Sequence, residues 1–305
     1  MKATTTVGFV GLGNMGLPMC LNLVSSGVSV VALDTNPVAV RQAQEGGAQP
    51  AGSIDDIAEC SVVITMLPGC SVVDQVMESL LPRLSISEPP TTTILVDCST
   101  VSPSTTHRWF DRAQQDGHIL LDAPVSGGVK GAKDATLTFL VGGYTASSTD
   151  AAESVVKPLL EHMGQRIIKC GGPGTGSATK LCNNLALAAQ MIGICEAMNL
   201  GETLGVDPNV LADAMNQSTA KSWSCEVNNP HPSVGDTITP AKRDYDGGFA
   251  SRLMLKDLGL AVAAAEEAGV ALPQGTQSKE LYRMATLRGH GEKDFGVLFK
   301  FLQGK

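Results

Sequence analysis

Charge is scarce in this 305-residue chain: Asp, Glu, Lys and Arg together make up 17%, and aromatic residues only 4%. The 22 Lys and Arg are outnumbered by 30 Asp and Glu, a net charge of −8. A nucleic-acid partner is excluded on that balance, because a phosphate backbone needs clustered cations. None of the eight cysteines (20, 60, 70, 98, 170, 182, 195, 225) forms a C-x-x-C pair. That spacing gives neither a zinc site nor a disulfide framework, so no metal is expected and a reducing compartment is the simpler reading. Several of these cysteines fall inside apolar runs, as small core residues do. No G-x-S-x-G elbow is present, so a hydrolase would have no nucleophile. His107, His118, His162, His231 and His290 show no H-x-x-x-H or His–Asp pattern and read as surface residues. The longest apolar helical run, Leu185 to Cys195, is eleven residues and contains Gln190, too short for a bilayer. Met1-Lys2-Ala3-Thr4-Thr5-Thr6 leads straight into a strand, which reads as no signal or transit peptide. The expectation is a soluble intracellular protein with no membrane contact.

Glycine, by contrast, is abundant: 33 residues, where a typical ~7% would give about 21. Such an excess suits an enzyme that approaches ligands with its main chain. A hydrophobic content of 43% excludes a disordered chain, and about 150 residues per domain predicts two domains. Short β-branched runs alternate with helical stretches from the start. Val7–Val10, Val28–Leu33, Val62–Met66, Ile94–Val96 and Ile119–Leu121 read as strands; Met15–Ser26 and Pro37–Glu45 read as helices. Ser53 with Asp56 three residues on marks another helix start. This βαβα alternation predicts a doubly wound sheet. After about Ile168 the pattern changes. Cys170-Gly171-Gly172-Pro173-Gly174-Thr175-Gly176 reads as a hinge or loop, and helices are expected over Ser177 to Leu204, Asn209 to Gln217, Arg252 to Ala268 and Gln274 to Leu287. Asn228 to Gly248, with Pro230, Pro232 and Pro240, reads as a long functional or mobile loop, and Lys242-Arg243-Asp244 within it as solvated. The expected domains are 1–170, α/β, and 171–305, all helical.

Gly11-Leu12-Gly13-Asn14-Met15-Gly16 is a G-x-G-x-x-G set between a strand and a helix, the arrangement that brings a pyrophosphate onto a helix N-terminus. The second strand ends at Asp34, 18 residues past Gly16. A carboxylate there accepts hydrogen bonds from ribose hydroxyls and repels a 2′-phosphate, which favours NAD. Arg41 keeps NADP as the lesser alternative. Met66-Leu67-Pro68-Gly69 and Asp97-Cys98-Ser99-Thr100 end further strands and are either ligand contacts or plain turns.

Asp122-Ala123-Pro124-Val125-Ser126-Gly127-Gly128 follows another strand; it is either a carboxylate cradle or a glycine-rich turn. Lys180 and Asn184 are four apart on the long helix and share a face. Partial burial, the helix N-terminus and an oxidised nicotinamide would each lower a lysine pKa, letting it take the proton of an alcohol as hydride leaves. The alternative is a lysine snorkelling at a helix end.

With these residues in view, the chain resembles the β-hydroxyacid dehydrogenase family over nearly its whole length. Gly8–Gly16 resembles that family's dinucleotide motif, Asp122–Ala132 its substrate motif, Gly172–Asn184 its catalytic motif and Leu253–Ala261 its cofactor-contact motif. The resemblance implies a Rossmann-type doubly wound α/β domain followed by an all-α C-terminal domain, joined by a long interdomain helix with the catalytic cleft at the junction. It implies Lys180 as general acid/base, Ser126, Gly127, Gly128 and Asn184 on the substrate, and Leu67, Pro68, Thr100 and Lys256 on the dinucleotide. It further implies a homodimer or homotetramer acting on a small hydroxyacid, in the mitochondrial matrix of a eukaryote or the cytoplasm of a bacterium. Ser222-Trp223-Ser224, Tyr245 with Gly247-Gly248-Phe249, and Lys293-Asp294-Phe295 resemble the branch that oxidises 3-hydroxyisobutyrate to methylmalonate semialdehyde with NAD in valine breakdown. His231, Pro232 and Lys242-Arg243-Asp244 depart from that branch. Reduction of tartronate or succinic semialdehyde, and dinucleotide binding without turnover, are the rival readings.

Overall fold

Six short runs, most of them β-branched and aliphatic, pair in one parallel sheet. They are β1 (Thr6–Val10), β2 (Ser29–Leu33), β3 (Gln49–Pro50), β4 (Val62–Thr65), β5 (Ile94–Asp97) and β6 (Ile119–Asp122), in the order β3-β2-β1-β4-β5-β6. The computed structural model describes residues 5–84, 92–146 and 148–304; Met1–Thr4 of the expected leaderless start lie outside them. Every residue of β4 and β5 is buried, which is why these segments are apolar up to their last residue rather than alternating: helices cover both faces. The alternation is internal. Val7, Phe9, Val62, Ile64 and Val96 point to one core with Met19 and Leu23 of α1 (Gly16–Ser25). Val10, Val63, Leu95 and Leu120 point to the other, against Met77 and Leu80 of α4 (Cys70–Leu84) and Trp109 of α5 (Pro103–Gln115). Between them in the chain come α2 (Pro37–Glu45) and α3 (Ile54–Ala58), the latter opened by the Ser53–Asp56 capping box.

A second sheet was not anticipated. β7 (Val125–Ser126) runs antiparallel to β8 (Leu137–Val141), and β8 parallel to β9 (Gly164–Lys169). Between them lie α6 (Gly128–Lys133), α7 (Thr149–Ala151), a π-helical turn over Ala152–Val156, and α8 (Lys157–Glu161). The glycine-rich segment expected to be a hinge is bonded to the end of β8, with Gly143 N–H donating to Gly172 O (2.9 Å) and Tyr144 N–H to Gly171 O (3.0 Å).

The chain divides into two compact units, Met1–Lys180 and Leu181–Lys305. The second is built from most of α9 (Thr175–Thr203), with α10 (Pro208–Asn216), α11 (Trp223–Glu226), α12 (Ser251–Ala268), α13 (Pro273–Ala285) and α14 (Leu298–Leu302). Among the described residues no strand follows Lys169, only an isolated bridge between Ala250 and Asp294. Ala188, Met191, Cys195 and Met198 of α9 pack with Met254, Leu258, Tyr282 and Phe295, each large apolar side chain contributing roughly 1.5–3 kcal/mol by burial. The helix expected over Ser177 to Leu204 is α9; where the sequence shows an eleven-residue apolar run too short for a bilayer, the whole 29-residue helix is by length and composition sufficient to cross one. Ala188, Met191, Ile192, Ile194, Cys195 and Met198 of α9 belong to the core of the helical unit.

Candidate active site

The three glycines of the first βα turn do three different things. Gly11 has φ +97°, and a Cβ there would meet Met66 O at 2.3 Å. A Cβ on Gly16 would sit 1.9 Å from Gly11 O, so α1 packs backbone to backbone against the turn. A Cβ on Gly13 would meet no protein atom within 4 Å, which leaves that side of the turn to a pyrophosphate. No side chain caps α1, and no acid lies in its first turn, which suits the helix N-terminus to an anion. Asp34 braces the turn from the end of β2: Oδ2 accepts from Leu12 N–H (2.6 Å) and Oδ1 from Asn36 N–H (2.7 Å). Each oxygen keeps a second lone pair for a ribose hydroxyl. These residues fit a bound dinucleotide.

The remaining predicted cofactor contacts of this unit lie along the same sheet edge. Met66 N–H donates to Val10 O (2.8 Å), Cys98 N–H to Thr65 O (2.8 Å) and Ala123 N–H to Asp97 O (2.7 Å), so the carboxyl ends of β1, β4, β5 and β6 stand side by side. Leu67 and Pro68 follow β4, and Leu67 N–H donates to Ser99 Oγ (2.9 Å), one residue before Thr100. Asp97 Oδ1 accepts from Thr65 Oγ1 (2.8 Å) and Ser99 N–H (3.0 Å), stiffening that edge. Ser126 ends β7; Gly127 and Gly128 have φ of 135° and 63° and open α6. A Cβ on Gly128 would meet nothing within 4 Å.

Lys180 lies in the second turn of α9 and is 8% exposed. Asp122, named in the sequence only as part of its motif, bonds the start of that helix. Its Oδ2 accepts from Ser177 N–H (2.7 Å) and its Oδ1 from Gly174 N–H (3.1 Å). Burial pushes its carboxyl up to about 6 against those two donors, and the Asp97 charge adds to the rise.

In the helical unit, Asn184 Nδ2 donates to Asp257 Oδ2 (2.6 Å), and Lys256 Nζ lies 3.2 Å from Asp257 Oδ1. Asn184 and Lys256, expected in separate roles, are thus joined by a carboxylate that sequence reasoning passed over, although it adjoins Lys256 in Leu253–Ala261. Asn183 Nδ2 donates to Asn184 Oδ1 (3.1 Å), so the amide of Asn184 is oriented from both ends.

Two of the five histidines are not surface residues. His118 is buried with Nδ1 accepting from Thr93 N–H (3.2 Å), and burial lowers its pKa. His231 is 4% exposed, accepts from Ser233 N–H (3.1 Å), and packs edge-on against Phe299. The Lys242-Arg243-Asp244 segment is also more ordered than a solvated loop. Pro240–Arg243 form a 3₁₀ turn, and Asp244 is ion-paired to Lys293 (2.8 Å) and Lys300 (2.9 Å), which hold its carboxyl down at about 2. Among the described residues no group of three His, Cys, Asp or Glu is placed to hold a metal.

A parallel sheet in the order 3-2-1-4-5-6, a glycine-rich first turn and a carboxylate ending the second strand define the Rossmann class of dinucleotide-dependent oxidoreductases. Residues 6–172 match the family model described as the NAD binding domain of 6-phosphogluconate dehydrogenase. Residues 174–302 match the one described as NAD-binding of NADP-dependent 3-hydroxyisobutyrate dehydrogenase. Over 304 residues the chain is 39% identical to the mitochondrial 3-hydroxyisobutyrate dehydrogenases of Bos taurus and Homo sapiens, covering 99% of this chain and 88% of each relative. The solved structure of Mycobacterium tuberculosis 3-hydroxyisobutyrate dehydrogenase with L-serine superposes with a TM-score of 0.88 at 38% identity, covering 98% of this chain and 99% of that one. The chain belongs to the 3-hydroxyisobutyrate dehydrogenase family of β-hydroxyacid dehydrogenases.

Proposed function

We propose that this chain oxidises 3-hydroxyisobutyrate to methylmalonate semialdehyde with NAD, as in valine breakdown, with Lys180 as general acid/base. The observation that carries the reading is the pair on α9: Lys180 one turn from Asn184, whose amide is already oriented by Asp257. The L-serine named with the Mycobacterium tuberculosis relative supports the substrate class, since serine and 3-hydroxyisobutyrate share a primary hydroxyl one carbon beyond the one bearing the carboxylate.

In this reading Ser126 Oγ and the N–H groups of Gly127 and Gly128 accommodate the substrate carboxylate, the two glycines leaving the backbone uncovered. Asn184 gives one Nδ2 hydrogen to Asp257 and has its second for the substrate oxygen. Lys180, neutral before the reaction, takes the hydroxyl proton; the C–H electron pair leaves as hydride, and the carbonyl forms. The bound dinucleotide supplies the hydride acceptor. In reduction Lys180 returns the proton to the oxygen. Asp34 supports NAD over NADP, because a second anion beside its carboxylate is repelled. The helical unit exposes Leu200, Leu204, Val210 and Trp223, which supports a homodimer or homotetramer, checked by light scattering. The reading places the enzyme in the mitochondrial matrix of a eukaryote or in bacterial cytoplasm; the bovine and human relatives are named as mitochondrial.

The test is NADH formation from (S)-3-hydroxyisobutyrate, with D-glycerate and 4-hydroxybutyrate alongside and NADP in parallel. Turnover of the first with NAD is expected, and Lys180→Ala abolishes it while leaving NADH binding intact. Preference for either other acid moves the substrate to tartronate or succinic semialdehyde. NADH binding without any turnover makes the chain a dinucleotide-binding module.

A further inference from the structure

Among the described residues, five α-helices are capped by the side chain immediately before them. Asn36, Ser53, Ser102, Asp207 and Ser222 each accept from an amide of the helix they precede. α9 is opened differently. The residue before Thr175 is Gly174, which has no side chain, and the acceptor comes from Asp122, 52 and 55 residues away in sequence from the two amides it binds. A local cap satisfies a helix wherever the helix lies. A distant one also fixes where the helix lies.

The surroundings of Asp122 leave little freedom. Its backbone O accepts from Gly142 N–H (2.7 Å), so one residue joins the end of β6, the end of β8 and the first turn of α9. A Cβ on Gly142 would stand 2.5 Å from Asp122 Oδ1, and one on Gly176 would stand 2.3 Å from Leu140 O and 2.7 Å from Asp122 O. The helix thus rests on the strand ends through bare backbone. From the other side, Thr106 Oγ1 on α5 lies 3.0 Å from Ser177 Oγ. Ser177 is the third residue of α9 and Lys180 the sixth, less than a turn apart, so the anchored amide sets the height and azimuth of the lysine. Asp122 is 1% exposed, and the groups that act on its carboxyl are backbone amides and the Asp97 charge. Burying a carboxylate on amide donors alone is costly, and burial does raise its pKa. A local cap has no room here: position 174 has φ +75°, and a Cβ on it would stand 2.7 Å from His107 Nε2.

We infer that Asp122 is a positioning residue for Lys180: its carboxylate clamps the first turn of α9 to the strand ends and so holds the lysine amine at the reacting oxygen. The inference rests on the proposed role of Lys180. The bonds of Asp122 go to Gly142, Gly174 and Ser177, and none of these residues belongs to the dinucleotide turn or the Ser126–Gly128 segment, so its loss acts on the proton-transfer step and not on binding.

The experiment compares Asp122→Asn and Asp122→Ala with wild type, and with Asp207→Ala, which removes the cap of α10 beyond the far end of α9. Asparagine keeps one acceptor oxygen and turns an NH₂ toward the other amide; alanine keeps none. Expected is a graded fall in kcat, about 10-fold for Asn and about 100-fold for Ala, since a displacement near 1 Å costs on this order. KM and NADH affinity stay within about threefold, a range too small to mark lost binding energy. The primary deuterium isotope effect on kcat rises as chemistry becomes slower, and amide exchange at Gly174 and Ser177 accelerates. Asp207→Ala lowers the melting temperature with kcat unchanged. The inference is overturned if both Asp122 variants keep kcat within twofold, or if NADH affinity falls in step with kcat. Should wild type turn over no hydroxyacid, the functional reading fails, and exchange decides the anchor separately: unchanged exchange at Gly174 and Ser177 overturns it.

Discussion

Asp294→Asn separates the cost of burying a charge from the value of the bonds it makes. Asp294 is 2% exposed and organises the segment between Asn228 and Phe249. Oδ1 accepts from Gly296 N–H (2.9 Å) and Asn228 Nδ2 (3.2 Å), and Oδ2 from Phe249 N–H (2.9 Å). Burial pushes the carboxyl from its ordinary 3.8 up to about 6 in spite of these donors. Between those two values the folded protein holds a proton that the unfolded chain has released. The contribution of Asp294 is therefore full below 3.8 and is lost as pH rises through 6. From pH 5 to pH 7.5 the linkage integral gives a loss of about 1.4 kcal/mol. Asparagine does not titrate. It keeps one acceptor oxygen but sets an NH₂ against Phe249 N–H, a buried unsatisfied donor that costs about 1–3 kcal/mol at every pH. Urea unfolding followed by the helical circular dichroism signal at pH 5 and 7.5 should show a variant less stable than wild type at pH 5, with the deficit narrowing by about 1.4 kcal/mol at pH 7.5. Taking the difference between the two proteins cancels the titration of Asp122, Asp244 and every other shared carboxylate. A deficit that stays constant or widens with pH refutes the raised pKa and the burial argument behind it.

The glycines of the dinucleotide turn should separate cleanly. Gly16→Ala, with its Cβ 1.9 Å from Gly11 O, should lower stability by about 1–3 kcal/mol in a thermal melt. Gly13→Ala, which meets no protein atom, should melt as wild type yet bind NADH at least 10-fold more weakly by fluorescence titration; about 1.4 kcal/mol suffices for that loss. Equal melting temperatures for the two variants would contradict the assignment. Asp34→Ser removes the charge that faces a 2′-phosphate, worth about 4 kcal/mol per unit charge near 4 Å at a protein surface. The NAD:NADP ratio of kcat/KM should fall by at least 10-fold, and an unchanged ratio would show that Asp34 does not select the cofactor.

What could be read from the sequence was what is local. The principal strands contain continuous apolar runs such as Val62–Ile64 and Ile94–Val96, and the glycine turn sits between a strand and a helix, so pattern alone locates them. β3, only Gln49–Pro50, offers no apolar pattern, and β9 keeps Gln165 and Arg166 exposed. The second sheet escaped notice for that reason, even though Leu137–Val141 is as apolar as any other strand. The pairs that shape the candidate site join distant residues: Asp122 to Ser177 across 55 positions and Asn184 to Asp257 across 73. Nothing in either neighbourhood announces its partner. His118 and His231 were misplaced because burial of a histidine depends on a single acceptor contact with a backbone N–H, which composition does not reveal.

The clamp at Asp122 also orders events during synthesis. All six strands of the parallel sheet are complete once residue 122 has been made, but the amides that receive its carboxylate belong to Gly174 and Ser177. At the pace of translation those 55 residues take roughly 3–11 s. Until then the end of β6 holds a carboxylate with neither donor available, so the edge of the sheet carrying it has reason to stay in contact with water. The dinucleotide unit thus matures only when the helix bearing Lys180 has begun to emerge, and a fragment stopped at residue 170 would contain every strand yet lack the contacts that let the last strand of the parallel sheet seat its charge.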